Sequence, residues 1–333
     1  MRKFVAALCL LLAACTAQVS HPTTASADAA DLGFRRGINA LGYERNWKDP
    51  AKARFQTRHF AEIRKGGFDF IRIVLANFPH MDSANRIDEA WLQRLDWAVS
   101  EARKAGLGVI IDEHDFNQCS DDPAACRPKL VAIWQQLAER YKNEPPNVAF
   151  ELLNEPHGKL DPELWNQMIP ELLAIVRATN PSRTIVIGPT SWNALRALPD
   201  LRLPESDRHI LVTFHYYDPF RFTHQGAGWT DLKTVTGVTW GSDADRAAIR
   251  SDFEKVAAWA RANHRPILLG EFGAYDKSGT PMELRAAYTD AVAREAERAG
   301  FAWAYWQFDS DFVAWDMAKD GWVEPIRKAL IPE

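Results

Sequence analysis

Residues 149–158 read AFELLNEPHG, a short apolar run that ends in an asparagine, a glutamate and a proline. A run of this kind is typical of a strand that is buried on both faces of a parallel sheet. Similar β-rich runs recur along the chain from residue 34 onward, separated by amphipathic helical patterns. The predicted strands are residues 34–39, 68–74, 108–112, 148–153, 184–187, 209–215, 266–269 and 301–306.

The helical patterns fall between these strands, at residues 51–67, 87–106, 161–181, 243–263 and 280–300. Strands that alternate with helices indicate a parallel sheet. Eight such units in about 300 residues predict an α/β fold, a single (β/α)8 TIM barrel. The alternative is an open, doubly wound sheet with a glycine-rich phosphate loop, but the sequence contains neither GxGxxG nor a Walker pattern.

The N-terminus is typical of an export signal, because Arg2 and Lys3 precede an apolar run at residues 4–14. That run is shorter than the roughly 20 residues that span a bilayer. It ends in LAAC, which resembles a bacterial lipobox and makes Cys15 the lipidation candidate, whereas ASA at residues 25–27 offers ordinary cleavage. We expect a signal peptide at residues 1–15, a flexible tether at 16–30 and one barrel domain at 31–333. The protein is then exported as an outer-membrane or cell-surface lipoprotein, or otherwise is periplasmic or secreted.

Composition narrows the classes of partner and cofactor. The net charge of −4 shows no basic excess, so no nucleic-acid partner is expected. Cys119 and Cys126 stand close together in CSDDPAAC, and an exported protein can keep a disulfide between them. Two free thiols are the alternative, and the spacing is not that of a zinc site. Most of the 13 tryptophans should lie in the core, but the surplus can stack on apolar ligand faces.

Polar residues appear where the predicted strands end, which is the active-site edge of a (β/α)8 barrel. They are Arg72, His114, Asn154, Glu155, His215, Tyr217, Glu271 and Trp306. An arginine inside an apolar strand needs a carboxylate partner, in a core ion pair or in a site. His215 and Tyr217 share one strand face, whereas Tyr216 faces the other way and should pack. His114 lies among acids that alternate strand faces, and HExxH is absent, so no metal site is expected.

Glu155 and Glu271 together supply the pair of carboxyl groups that glycosidic bond cleavage requires. One group must be protonated near neutral pH, and the other must be ionised. Arg72 and Tyr217 should lower the pKa of the carboxyl group beside them, while the other group stays protonated. The residues alone do not assign the two roles. His157 is a candidate proton-relay neighbour of Glu155, and Glu271 lies between glycines at a tight site.

From about residue 34 to 330 the chain resembles glycoside hydrolase family 5, the large cellulase family of retaining clan A. The resemblance rests on LLNEP, Arg72, His114, HYY and GEFG in this order. It implies that Glu155 is the acid/base, that Glu271 is the nucleophile, and that no metal or cofactor is needed. It further implies that Asn154 binds the sugar 2-hydroxyl, that Arg72 and Tyr217 support Glu271, that His114 and His215 line the cleaving subsite, and that Trp306 is its stacking floor.

The resemblance implies a retaining endo-β-1,4-glucanase that acts by double displacement on β-glucan or a related polysaccharide. A β-mannanase or a mixed-linkage β-glucanase would use the same machinery. A catalytically silent glycan-binding surface protein is disfavoured by the intact glutamate pair, and an α/β esterase by the absence of G-x-S-x-G. We expect a monomer that meets a membrane only through the lipid anchor.

One loop suggests polymer binding. Residues 219–229, PFRFTHQGAGW, place Phe220, Phe222, His224 and Trp229 after the sixth strand. The loop resembles one found in β-glucan-cleaving members of the family, and the alternative is a loop that packs only on itself. Trp47 and Trp192 follow the first and fifth strands and are weaker subsite candidates.

Overall fold

The computed structural model describes residues 33–42, 47 and 49–332 of the chain. Its central feature is a closed barrel of eight parallel strands, in which each strand pairs with the next and β8 returns to β1. The strands are β1 (Arg36–Ala40), β2 (Phe70–Leu75), β3 (Gly108–Glu113), β4 (Val148–Glu151), β5 (Ile185–Ile187), β6 (Ile210–Tyr216), β7 (Ile267–Phe272) and β8 (Ala302–Tyr305). The predicted (β/α)8 barrel is therefore confirmed, with strand ends shifted by up to three residues.

The helices lie between the strands. They are α1 (Thr57–Lys65), α2 (Glu89–Lys104), α3 (Phe116–Asp121), α4 (Pro123–Arg140), α5 (Pro162–Thr179), α6 (Thr190–Asn193), α7 (Phe220–Thr223), α8 (Asp243–Asn263), α9 (Met282–Arg298) and α10 (Glu324–Leu330). A two-stranded ribbon, β9 (Trp315–Asp316) with β10 (Gly321–Trp322), lies outside the barrel. No described helix is long and apolar enough to cross a membrane.

Two details of the predicted helices are wrong. The pattern at residues 51–67 becomes a helix only from Thr57, and Pro50–Lys52 forms a separate 3-10 turn. Helix α4 is missing from the predicted helices. Asp122 caps α4, accepting a hydrogen bond from the Ala125 N–H, and Pro123 occupies the first turn, where it needs no donor.

A disulfide joins Cys119 to Cys126, which is the first of the two alternatives above, and it links α3 to α4. The lipidation candidate Cys15, the cleavage site after Ala27 and the predicted tether lie outside the described residues.

The barrel interior has an apolar layer below a polar one. Residues two apart on a strand lie on the same face. Phe70, Ile110 and Ala149 face the barrel interior, and so do the residues two positions further along their strands. The interior apolar cluster consists of Phe34, Phe70, Ile110, Ala149, Val186, Leu211, Leu268, Ala302 and Ala304. Two positions further along β2, β3 and β4 come Arg72, Asp112 and Glu151, all fully buried. The polar layer therefore lies at the carboxyl ends of the strands.

A register shift in β6 helps to assemble the site. Phe214 pairs with Leu269, but the next residue, His215, pairs with Glu271, so Gly270 is passed over. A side chain at Gly270 would meet the Thr213 hydroxyl and the His215 ring. Glycine at this position therefore allows His215 to lie directly beside Glu271.

Candidate active site

The two predicted glutamates lie together at the carboxyl end of the barrel. Glu155 follows β4 and Glu271 lies in β7, with His215 from β6 between them. His215 Nδ1 lies 2.7 Å from Glu155 Oε1 and 3.6 Å from Glu271 Oε2, and single ligand atoms of all three residues lie within 4.8 Å of one another. Within the described ranges these three residues are the one group with metal-ligating spacing, and His114 is not part of it.

Glu271 is held by two donors. The Arg72 guanidinium donates to Oε1 at 2.9 Å, and the Tyr217 hydroxyl donates to Oε2 at 3.0 Å. Burial nevertheless raises the pKa of Glu271, although His215 and Arg72 oppose that rise. Arg72 thus lowers the pKa as predicted, but burial outweighs it and the net shift is upward, because the side chain is only 6 % exposed and loses its hydration.

Arg72 is both a site residue and the centre of a buried ion network. It binds Glu151 through two hydrogen bonds of 2.6 and 2.9 Å, and its Nη2 lies 3.0 Å from Asp112 Oδ2. With Glu271, three carboxyl groups therefore share one guanidinium. Burial raises the pKa of Asp112 to about 7, and Arg72 opposes the rise, so this group is partly protonated near neutral pH.

Glu155 is arranged to carry a proton. Burial raises its pKa to about 8, against the opposing charge of Arg72, and the nearby carboxyl groups of Asp112 and Glu151 add to the rise. Burial also lowers the pKa of His215 to about 4, so the imidazole is neutral. The Glu155 side chain is 16 % exposed. A protonated acid that solvent can reach therefore lies at the carboxyl end of the barrel.

The backbone of Glu155 is unusual, with φ of 39°. The following proline restricts that backbone further, so the acid leaves the strand in a fixed direction. His157, the predicted proton-relay neighbour, does not contact the carboxyl group. Its Nδ1 lies 2.8 Å from the backbone carbonyl oxygen of Glu155 and 3.0 Å from the Ser120 hydroxyl. That prediction is wrong, and His157 instead supports the loop.

His114 and Asn154 form the opposite wall. Arg72 donates to Asn154 Oδ1 at 2.7 Å, which leaves Asn154 Nδ2 to face His114 Nε2 at 3.3 Å. His114 Nδ1 lies 2.6 Å from Asp112 Oδ2. The His114 ring is nearly parallel to Trp306, with ring centres 5.8 Å apart. These contacts fix the His114 ring between Asn154, Asp112 and Trp306.

The candidate stacking tryptophans differ in how exposed they are. Trp192 and Trp229 are 51 % and 56 % exposed, so both can present a face to a ligand. Trp47 is buried against Trp91, and its indole N–H donates to the Leu41 carbonyl, so Trp47 is a core residue rather than a subsite.

The loop at residues 219–229 combines the two alternatives. Phe220 stacks on His224 with ring centres 4.0 Å apart, and Phe222 is buried. Trp229 meets Tyr275 edge to face with ring centres 5.0 Å apart and stays exposed. The loop therefore packs on itself and still presents one indole.

Three polar residues of the site were missed from the sequence: Asp112, Glu151 and Asn193. Asn193 Nδ2 lies 3.3 Å from His215 Nε2. An acid inside an apolar strand was a signal for Asp112 and Glu151, whose side chains share the inward face with Arg72. Asn193 reaches the site through backbone angles that no sequence pattern indicated.

The comparison with protein families agrees with this geometry. The model of cellulase, glycosyl hydrolase family 5, matches residues 28–311. The chain belongs to glycosyl hydrolase family 5.

Curated relatives in family 5 include Endoglucanase H of Acetivibrio thermocellus, which is 30 % identical over 266 residues, or 79 % of this chain and 28 % of that protein. Endoglucanase 3 of Fibrobacter succinogenes is 24 % identical over 352 residues, covering 89 % of this chain and 52 % of that protein. The chain thus spans 28 % to 52 % of the length of these relatives.

Solved structures match over nearly their whole length. A hyperthermophilic endo-β-1,4-glucanase in complex with substrate has a TM-score of 0.87 and 36 % identity, covering 92 % of this chain and 100 % of that chain. Thermotoga maritima Cel5A in complex with mannotriose has a TM-score of 0.85 and 35 % identity, covering 90 % of this chain and 98 % of that chain. The barrel is therefore shared with these structures over nearly the whole length of their chains.

Proposed function

We propose that this family 5 protein is a retaining endo-β-1,4-glucanase. The observation that carries the proposal is the carboxyl pair, because oxygen atoms of Glu155 and Glu271 lie within 4.8 Å of each other. Retaining enzymes hold their two carboxyl groups about 5 Å apart, whereas inverting enzymes leave a wider gap of about 6.5–9.5 Å for water. The surroundings also differ as the two roles require, since Glu271 is bound by Arg72 and Tyr217 and Glu155 is not.

The first step is attack by Glu271 on the anomeric carbon while Glu155 gives its proton to the leaving glycosidic oxygen. A bond forms between the Glu271 carboxylate and the sugar, and the glycosidic bond breaks. Arg72 and Tyr217 hold the attacking carboxylate in place. The Asn154 amide supplies a donor for the sugar 2-hydroxyl, since its oxygen is already occupied by Arg72.

In the second step the ionised Glu155 takes a proton from water. The resulting nucleophile attacks the same carbon, and Glu271 leaves as a carboxylate. Two inversions give a product of unchanged β configuration. None of these steps calls on a bound metal or cofactor.

A β-1,4-glucan is the substrate that the surroundings favour. The exposed faces of Trp192 and Trp229 suit the flat faces of a glucan chain, and relatives and neighbours are named endoglucanases. The complex of Thermotoga maritima Cel5A with mannotriose makes β-mannan the second candidate. Hydrolysis of cellulose derivatives, lichenan, mannan and xyloglucan should be compared by reducing-sugar release.

We also propose that the protein is exported and anchored through Cys15, and that it acts as a monomer. The disulfide between Cys119 and Cys126 supports an oxidising compartment. Cys15→Ser should release the protein from the membrane fraction. Unchanged fractionation would favour cleavage after Ala27 instead.

The decisive test of the function is the pair Glu155→Gln and Glu271→Gln. Each variant should lose several orders of magnitude in glucan hydrolysis while keeping the circular dichroism of the parent. NMR of the first product should show the β anomer, and early α anomer would mean inversion. Full activity in either variant, or tight glucan binding without hydrolysis in the parent, would refute the proposal.

A further inference from the structure

The segment after β5 has a backbone that L-residues rarely adopt. Ser191, Trp192 and Asn193 have φ of 59°, 61° and 53°, three left-handed residues in succession. None is glycine, so Ser191 and Trp192 are strained, whereas asparagine adopts this conformation more readily. Such strain persists where the surrounding structure enforces it, and it concentrates at functional sites.

The turn sends two neighbouring side chains in opposite directions. Trp192 points outward and stacks on His157, with ring centres 4.4 Å apart. Asn193 points inward and is fully buried. A side chain at Gly188 would collide with the Asn193 amide oxygen, so glycine at this position keeps the space that the amide fills.

The buried Asn193 amide contacts His215, the histidine beside the proposed acid/base Glu155. Asn193 Nδ2 lies 3.3 Å from His215 Nε2, and residue 194 bridges His215 in a parallel pair, which ties the turn to β6. Asn193 Oδ1 has no hydrogen-bond partner within the described part of the chain. The amide therefore has one polar contact, and that contact is His215.

From this geometry we infer that Asn193 is a positioning residue that fixes the tautomer of His215. An amide nitrogen only donates, so Nε2 must accept and the single imidazole proton resides on Nδ1. The Nδ1–H then donates to Glu155 Oε1 at 2.7 Å. The acid proton of Glu155 is left on Oε2, free for the leaving oxygen.

The inference rests on the proposed hydrolase function only for its kinetic consequence. Loss of the Nδ1–H donor removes a hydrogen bond that favours ionised Glu155, so the pKa of Glu155 should rise. The other charged or titratable groups around Glu155 and His215 are Arg72, Asp112, Glu151, Glu271, Tyr217 and His114. All of them remain in the variants below.

The direct test is 15N NMR of histidine-labelled protein, with the His215 signals assigned by their loss in His215→Asn. The parent at pH 7 should show His215 protonated on Nδ1 alone. Asn193→Asp keeps the shape and tolerates the left-handed backbone, but its carboxylate accepts from Nε2–H and should move the proton to Nε2. A parent protonated on Nε2, or an unchanged tautomer in Asn193→Asp, overturns the inference without bearing on hydrolysis.

The kinetic test uses Asn193→Gly, which removes the amide and relieves the backbone. We expect kcat for glucan to fall about tenfold to a hundredfold, part of what a general acid contributes. An aryl glycoside with a good leaving group should lose far less, and the basic limb of the pH profile should move to higher pH. Asn180→Ala is the matched control, since Asn180 is buried and donates to the Ala138 carbonyl away from the site. Equal losses on both substrates, or no limb shift, would show a merely structural role.

Discussion

Two asparagine–histidine–carboxyl chains lie in the candidate active site, and they differ in what holds the amide. In one, Asn154 faces His114, which contacts Asp112. In the other, Asn193 faces His215, which contacts Glu155. We refer to them as the His114 chain and the His215 chain. Both histidines have pKa values lowered to about 4 by burial, so both rings are neutral and each has one tautomer to fix.

The His114 chain is fixed by charge. Arg72 donates to the Asn154 oxygen, which determines the amide orientation, and the chain ends in fully buried Asp112. In the His215 chain, the left-handed turn and the space at Gly188 determine the position of the Asn193 amide. That chain ends in Glu155, which is partly exposed to solvent. Under the proposed function, the first chain supports the site and the second delivers a proton to substrate.

The largest contrast should come from converting each terminal carboxyl group to an amide. Glu155→Gln removes the transferable proton and should lower kcat on glucan by about 10²–10⁴-fold. Asp112→Asn replaces a group that already holds a proton below its pKa of about 7, so its activity at pH 6 should fall less than about tenfold. Steady-state kinetics on one soluble glucan measures both.

Losses of similar size in the two variants would break the distinction between support and proton delivery. An activated aryl glycoside serves as the internal check. The first step of its cleavage needs little proton donation, so Glu155→Gln should recover a rapid burst of the aryl leaving group, while turnover stays slow because the second step lacks its base. Asp112→Asn should behave alike on both substrates.

Next in size is the effect of Arg72→Lys, which should disrupt the His114 chain and spare the His215 chain. Lysine keeps the positive charge but cannot reproduce the two-point contact with Glu151, and some buried acceptors lose their donor, so stability should fall by about 1–3 kcal/mol. The His114 tautomer should become mixed in 15N NMR spectra, while that of His215 stays single. Denaturant titration gives the stability.

Arg183→Lys is the matched control for Arg72→Lys. Arg183 is also buried but donates to backbone carbonyls, among them those of Pro145 and Val148. Its replacement should destabilise the barrel and leave both tautomers and the activity of the folded fraction unchanged. A mixed His215 tautomer in Arg72→Lys would show that the two chains are coupled.

The two chains also show what the sequence could predict. Alternating apolar strands and helices specified the barrel, because each pattern follows from burial along one strand or helix face. Asn154 and Glu155 stood out since they end an apolar strand, and Arg72 because it interrupts one. The role of Asn193 depends on three positive φ values and on a glycine five residues earlier, and Asp112 and Glu151 matter through pairings across strands. Those are tertiary properties, so local patterns did not reveal them.

The pH dependence of stability should distinguish Asp112, the carboxyl group of the His114 chain, from an acid whose pKa is lowered by folding. Burial raises the folded pKa of Asp112 from 3.8 to about 7, so its contribution is fully present below pH 3.8 and is lost as pH rises to about 7. Asp112→Asn should therefore flatten the decline of unfolding free energy between pH 4 and 7. Urea titrations at several pH values measure this.

For Asp207, we expect the contribution to stability to change with pH in the opposite direction. Burial works to raise the pKa of Asp207, but its hydrogen bonds with Arg177 outweigh that effect and lower it. Asp207 thus stabilises the fold above pH 3.8 and loses this effect as pH falls through its lowered value. Asp207→Asn should lose stability near neutral pH, and the same pH trend in both variants would contradict the assigned shifts.

The smallest effect concerns the turn that shapes the His215 chain. Ser191 has φ of 59°, a conformation that costs a non-glycine residue about 1–2 kcal/mol. Ser191→Gly removes that strain but adds chain entropy, so we expect a net gain of about 0.5 kcal/mol, measured by thermal unfolding. Ser251→Gly, in the interior of α8, should instead lose about 0.5–1 kcal/mol. Equal losses of stability at both positions would show that the left-handed conformation of Ser191 is not strained. They would also show that this backbone is not what places Asn193.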